Sequence, residues 1–285
     1  MSDAQHIQLS DGRILGYSLY GDPHGSPVFY FHGWPSSRLS GVRLDQSAKT
    51  LGIKIISVDR PGYGESSVQH NRTLLDFPDD IAELAHILKH KKFSILGVSG
   101  GGPYALACAY KIPKKIIRIA TACGVGPIWE SERMRDLTLK QRLFLTYGPS
   151  FRFLIPYQLF AMKKIVTYIP SVYGYIASIG KPNIDKEALS VQLESYRKSY
   201  LEGLRMGYRG AIQDSEIYAT DWGFSLRDIQ HEVVLFHGEK DTIVPIGMAR
   251  YVASQLPACT ATYFPESGHY IFHTRAQDIL KSLIV

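Results

Sequence analysis

Short apolar runs along the chain alternate with segments of helical pattern, which indicates a sheet flanked by helices. Two alternating segments around Asp11-Gly12 predict a β-hairpin near the start. The later runs are almost continuously apolar, as in strands that are buried on both faces of a parallel sheet. They cover residues 28–31, 53–58, 93–98, 116–120, 233–236 and 261–264. Residues 81–88 carry apolar side chains at helical spacing and predict one of the flanking helices.

The strand pattern stops between residues 128 and 221, where the sequence is almost entirely helical or loop-like. We therefore expect two units. Residues 1–127 and 222–285 should form an α/β core domain, and residues 128–221 should form an inserted helical cap. The sequence contains no evident linker or repeat, and so we expect the cap to pack against the core.

The composition fits an ordinary globular protein. The chain has 285 residues, of which 45% are hydrophobic and 20% charged, and it is long enough to bury a sizeable core. Its three cysteines show no Cys-x-x-Cys spacing, so we expect reduced thiols and no metal site. Neither a signal-peptide pattern nor an apolar span of about 18 residues is visible, which predicts a cytoplasmic protein.

Positive charge is concentrated in the predicted cap. The formal net charge of the chain is +6. Residues 128–210 hold 13 Lys and Arg against 7 Asp and Glu, so the rest of the chain has a formal net charge of zero. In the same stretch Leu159, Met162, Val166 and Ile169 form an apolar helical stripe. We favour a stripe packed on the core with solvated lysines over a contact of the basic cap with anionic membrane. Nucleic acid is not an expected partner, because no helix-turn-helix, zinc or RNP-like pattern accompanies the charge.

The strongest chemical signal is Gly97-Val98-Ser99-Gly100-Gly101, which follows a buried run and precedes a helical pattern. A serine at a sharp strand-to-helix turn, a nucleophile elbow, projects its hydroxyl above the sheet edge. Small neighbours let the strand and the helix approach each other there. Ser99 is therefore the candidate nucleophile.

A serine hydroxyl needs a base to remove its proton, and the base is more effective when a carboxylate orients it. Asp241 and His269 directly follow the last two apolar runs. Because parallel strands end at one edge of a sheet, both side chains can reach Ser99. We predict His269 as the general base and Asp241 as the orienting acid, with Glu239 and Asp214 as weaker alternatives for the acid.

Acyl transfer also requires two N–H groups that bind the oxyanion of the tetrahedral intermediate. The amide of Gly100 is one candidate, since it lies at the start of a helix directly after the nucleophile. The second amide should come from the loop after the first parallel strand, His32-Gly33-Trp34-Pro35. Trp34 is the candidate in that loop.

Together these segments resemble the α/β-hydrolase superfamily, in its capped serine hydrolase and esterase branch. The matching elements run in family order: residues 32–35, residues 59–66, the elbow at Ser99, the Asp241 turn and Ser267-Gly268-His269. The resemblance implies the α/β-hydrolase fold and a structural role for residues 59–66. Capped dehalogenases and epoxide hydrolases carry Asp at the elbow, so Ser99 argues against both. Proline iminopeptidases usually carry Trp after the nucleophile, where this chain has Gly100.

The expected function is cleavage of a carboxylic ester of a small or medium, largely apolar substrate through an acyl-enzyme. A lactonase, thioesterase, lipase or C–C bond hydrolase could use the same triad. The alternative of another class is a non-catalytic ligand-binding or scaffold protein on this fold. No cofactor is expected, and the sequence predicts neither the substrate-binding residues nor the oligomeric state.

Overall fold

The computed structural model describes residues 4–284. Within them the chain forms eight strands: β1 Gln5–Gln8, β2 Ile14–Gly21, β3 Ser26–Phe31, β4 Ile53–Val58, β5 Phe93–Val98, β6 Ile116–Ala122, β7 Val233–Gly238 and β8 Cys259–Phe264. They build one sheet in the order β1-β2-β4-β3-β5-β6-β7-β8. β1 pairs antiparallel with β2, and β2 with β4, whereas all later neighbours are parallel. The predicted hairpin and parallel strands are therefore confirmed.

Both faces of the sheet are buried, which explains the continuous apolar runs. In β3, Phe29 and Phe31 point into one core, while Val28 and Tyr30 point into the other. Successive side chains of a strand face opposite sides, so a central strand such as β5 is buried at every position.

Helices cover both faces. In the described part of the chain they are α1 Asp45–Thr50, α2 Phe77–Ile87, α3 Gly102–Lys111, α4 Leu139–Tyr147, α5 Ile155–Tyr168, α6 Pro170–Ser178, α7 Asn183–Gly203, α8 Arg209–Ala219, α9 Ile246–Gln255, α10 Ile271–Thr274 and α11 Ala276–Lys281. α2, α3 and α9 pack on one face, and α1, α10 and α11 pack on the other. The predicted α/β architecture is confirmed. None of the helices in residues 4–284 is long and apolar enough to span a bilayer.

Helices α4 to α8 fill the interval between β6 and β7. α7 contacts the sheet domain through Ser199, whose Oγ lies 2.7 Å from Oγ of Ser36, and through an ion pair of 2.6 Å between Glu202 and Arg38. α8 buries Ile217 in the same core as α2 and α3. The division of the chain at residues 128 and 221 stays a prediction. Helix α8 lies inside the predicted cap and contributes Ile217 to the core of the sheet domain.

The predicted stripe on α5 is only partly buried. Leu159 and Val166 are buried on the inner face of α5, whereas Ile169 is 49% exposed. Helix α5 ends at Tyr168, and Pro170 begins the next helix. Ile169 therefore lies at a junction and does not continue the apolar face.

Candidate active site

Ser99 lies at the tip of the turn that joins β5 to α3. Its φ of 53° is the left-handed conformation, which is uncommon for a residue with a side chain and occurs at strained functional turns. A Cβ at Gly101 would collide with the carbonyl oxygen of Phe31, so this glycine lets the turn pack tightly against β3. The turn has the sharp geometry that the sequence predicted.

Asp241 and His269 follow β7 and β8 and meet Ser99 at one edge of the sheet. Nε2 of His269 lies 3.0 Å from Oγ of Ser99, and Nδ1 of His269 lies 2.7 Å from Oδ2 of Asp241. With the ring proton on Nδ1, His269 donates to Asp241 and accepts from the Ser99 hydroxyl. The three predicted side chains thus form one hydrogen-bonded chain.

The carboxylate of Asp241 is held through both oxygens. Oδ1 accepts hydrogen bonds from the amides of Ile243 and Val244 at 2.8 and 2.9 Å, while Oδ2 faces His269. Burial opposes ionisation, but the charge and hydrogen bond of His269 outweigh burial and lower the pKa of Asp241 to about 2. Asp241 is therefore ionised at neutral pH and can stabilise a positively charged imidazole.

The two alternative carboxylates do not approach His269. Glu239 is exposed and lies 3.6 Å from a guanidinium nitrogen of Arg250. Asp214 is fully buried in ion pairs with Arg60 and Arg72. Of the three candidates, Asp241 is the one that contacts the predicted base.

Gly100 and Trp34 face each other beside Ser99. A Cβ at Gly100 would lie 2.9 Å from Cβ and 3.2 Å from the amide nitrogen of Trp34. Gly33 passes close to the nucleophile, since a Cβ there would lie 3.3 Å from Cβ of Ser99. The indole Nε1 of Trp34 donates to the carbonyl of Ala211 at 2.7 Å and ties this loop to α8. Both predicted amides are thus near the nucleophile, and their joint binding of an oxyanion stays a prediction.

A cavity of about 380 Å³ opens beside Ser99 and His269, between the sheet domain and helices α5 to α7. Its apolar walls include Trp34, Leu159, Met162, Ile176, Tyr270 and Phe272. A larger cleft of about 690 Å³ lies elsewhere, beside Arg227 and Arg250. We place the site in the smaller cavity, because it contains the two reactive side chains and has the size of a small-molecule site.

Comparison with known proteins decides the family. The sequence model for the alpha/beta hydrolase fold matches residues 26–276. The chain belongs to the alpha/beta hydrolase family. This hydrolase is 24% identical over 288 residues to the bifunctional esterase/perhydrolase of Acinetobacter calcoaceticus, with 98% of each chain covered. It is 25% identical to the non-heme haloperoxidase of Rhodococcus erythropolis over 88% of this chain and 86% of that one.

A solved structure supports the same fold. The esterase from Exiguobacterium antarcticum superposes on this alpha/beta hydrolase with a TM-score of 0.73 at 21% identity, covering 99% of this chain and 98% of the esterase. The predicted fold class and family are therefore confirmed. The names of these proteins differ in reaction type, and so the comparisons support hydrolase chemistry without selecting a substrate.

The sequence did not predict a buried polar cluster behind the two candidate amides. Its members are Asp214, Arg60, Arg72, Tyr63, Tyr104 and Tyr218. Arg60 donates to the carbonyls of His32 and Gly33, and the Tyr218 hydroxyl donates to the carbonyl of Gly100 at 2.9 Å. The cluster therefore holds both backbone segments that flank Ser99. The position of Arg60 just after β4, at the edge where the triad meets, is the signal that could have revealed it.

One group of metal-type donors lies under the triad. Single donor atoms of Cys123, His237 and Asp241 lie within 4.8 Å of one another. Burial raises the pKa of the Cys123 thiol well above its usual value, so this thiol stays protonated. Asp241 is occupied by His269, and Nε2 of His237 lies 3.0 Å from the carbonyl of Val244. The thiol is protonated and the carboxylate is engaged within the protein, whereas Nδ1 of His237 has no hydrogen-bond partner among residues 4–284. We assign no metal to this group, because two of its three donors are not free to bind one.

Proposed function

We propose that this alpha/beta hydrolase is a serine hydrolase that cleaves a carboxylic ester of a small or medium, largely apolar substrate. The hydrogen-bonded chain from Ser99 through His269 to Asp241 is the observation that carries the proposal. It joins a nucleophile, a base and an ionised orienting group in the arrangement that activates a serine hydroxyl. The 380 Å³ cavity beside Ser99 supports a substrate of modest size.

In the proposed reaction, Oγ of Ser99 attacks the ester carbonyl while Nε2 of His269 takes its proton. The amides of Gly100 and Trp34 stabilise the negative charge on the carbonyl oxygen. His269 then donates its proton to the departing alcohol, which leaves an acyl group on Ser99. A water molecule, deprotonated by His269, attacks this acyl-enzyme, and His269 returns the proton to Oγ of Ser99 as the carboxylic acid leaves.

Other substrates would use the same side chains. A lactone, a thioester, a lipid ester or a C–C bond beside a ketone presents a carbonyl to Ser99 in the same way. A non-catalytic ligand-binding protein is the alternative of another class. It predicts stable binding of a ligand in the cavity that does not depend on the Ser99 hydroxyl.

Labelling with a fluorophosphonate probe tests the proposed nucleophile. The wild-type protein should be labelled, and Ser99→Ala should lose the label together with p-nitrophenyl ester hydrolysis, by about 1000-fold or more. Ser150→Ala, which changes an exposed serine on the insertion, is the matched control and should label like wild type. Label that persists in Ser99→Ala would exclude Ser99 as the nucleophile.

We also propose a contact of residues 139–179 with anionic lipid surfaces. Eight aromatic side chains of this stretch are exposed, and Phe144, Tyr157 and Tyr168 are each 71% exposed. Exposed apolar side chains interleaved with cations are typical of surfaces that insert at a membrane interface. The amine of Lys164 lies 5.4 Å from the ring centroid of Tyr168, and Lys140 is exposed on α4, the helix that also carries Phe144.

A further inference from the structure

The cavity beside Ser99 contains a cation without a counter-charge. Arg43 lies in the 3-10 segment Arg38–Leu44 and lines the cavity. Its guanidinium carbon lies 4.3 Å from the ring centroid of Tyr196, and one terminal nitrogen lies 3.4 Å from Oγ of Ser195. Its buried Nε has no hydrogen-bond partner, and no carboxylate of residues 4–284 forms an ion pair with it.

Other buried arginines near the site are paired with carboxylates. Arg38, on the same segment, binds Asp59 and Glu202, and the guanidinium groups of the buried cluster bind Asp214. A charge removed from water is costly unless a partner of opposite sign and hydrogen bonds replace the water. Arg43 therefore stands out as a partly buried cation whose partner is not supplied by the described chain.

A second polar group in the same cavity is also unpartnered. Tyr200 is only 8% exposed and lines the cavity, yet its hydroxyl has no hydrogen-bond partner within residues 4–284. Its ring centroid lies 6.3 Å from that of Tyr173, another wall residue. Burial raises the pKa of Tyr173, and the charge of Arg43 opposes this rise, which indicates that the charge acts across this part of the cavity.

We propose that the substrate of the Ser99 site carries a free carboxylate, which binds the guanidinium of Arg43 and the hydroxyl of Tyr200. The proposal rests on the proposed function. A carboxylate matches the single charge of Arg43 and the fork of guanidinium N–H groups, whereas a phosphate would leave excess negative charge in a largely apolar cavity. The substrate class is then an ester with one free acid group, such as a half-ester of a dicarboxylic acid.

A pair of substrates that differ in one charge tests this inference. We would compare kcat/KM for monomethyl glutarate with that for neutral dimethyl glutarate, in wild type, Arg43→Met and Arg43→Lys. Wild type should prefer the half-ester. Loss of a charge-assisted contact should reduce that preference about 10- to 100-fold in Arg43→Met, mainly through KM, and Arg43→Lys should restore part of it. Arg118→Met, at an exposed arginine on β6, is the control and should keep the wild-type preference.

The outcomes separate this inference from the proposed function. Equal losses for both esters in Arg43→Met, or a wild-type preference for the diester, would overturn the carboxylate site while leaving Ser99 as the nucleophile. Titration of Ser99→Ala with monomethyl glutarate gives a readout that does not need turnover. The half-ester should bind Ser99→Ala more tightly than Ser99→Ala/Arg43→Met, and equal or absent binding would reject the site. Equal fluorophosphonate labelling of Arg43→Met and wild type would show that the variant is folded.

Discussion

At the scale of single residues, Asp241 determines which nitrogen of His269 carries the proton. Its Oδ2 can only accept a hydrogen bond while it is ionised, so the imidazole must donate through Nδ1 and leave Nε2 free for the Ser99 hydroxyl. An amide at this position can donate instead, and the ring proton would then move to Nε2. The base would keep its place and lose its function.

Asp241→Asn should therefore lower kcat by about 10,000-fold with a smaller effect on KM, because the wrong tautomer cannot accept the serine proton. Ester hydrolysis at neutral pH measures both constants. Glu239→Gln changes an exposed carboxylate of the same turn and should retain wild-type kcat. A kcat of Asp241→Asn within tenfold of wild type would contradict the role that we propose for Asp241.

At the scale of elements, the cluster around Asp214 fastens α8 to the loops that approach Ser99. Asp214 and Tyr218 lie on α8, Arg60 follows β4, and Tyr104 lies on α3. Burial opposes ionisation of Asp214, but the charges of Arg60 and Arg72 outweigh burial and hold the pKa of this carboxyl well below its usual value of 3.8. The ionised form therefore stabilises the packing of α8 on the sheet domain.

Asp214→Asn should lower the free energy of unfolding by about 3–5 kcal/mol at pH 7, because it leaves two guanidinium groups buried without a charge partner. A carboxylate with a lowered pKa contributes stability above its unfolded pKa, and this contribution is lost as pH falls through the folded pKa. The difference between variant and wild type should thus shrink below about pH 4. Urea unfolding at several pH values measures it.

The exposed Glu216 on α8 provides the control for this experiment. Glu216→Gln should unfold within about 0.5 kcal/mol of wild type across the same pH range. A constant difference between Asp214→Asn and wild type down to the most acidic stable condition would argue that the carboxylate acts through packing and not through its charge.

At the scale of the whole molecule, the sequence predicted the strands and the site residues that directly follow them, because both depend on local patterns. Ser99, Asp241 and His269 each follow a buried strand, and parallel strands must end at one edge, so their meeting followed from order and spacing. The surroundings of Arg43 and Asp214 could not be predicted in this way. Their partners, or the lack of them, depend on how segments far apart in sequence pack against each other, which no periodicity encodes.

The distribution of charge over the whole molecule leads to the last prediction. Residues 128–210 carry a net charge of +6, and their exposed aromatic side chains lie among cations, so the protein should bind vesicles that contain phosphatidylserine more tightly than vesicles of phosphatidylcholine alone. Charge reversal of Lys140 and Lys164 to Glu should weaken cosedimentation at least about tenfold, and added salt should act in the same direction. Lys114→Glu, on the sheet domain, is the matched control. Equal binding of the Lys140→Glu/Lys164→Glu variant and wild type would exclude this surface as the route to the membrane.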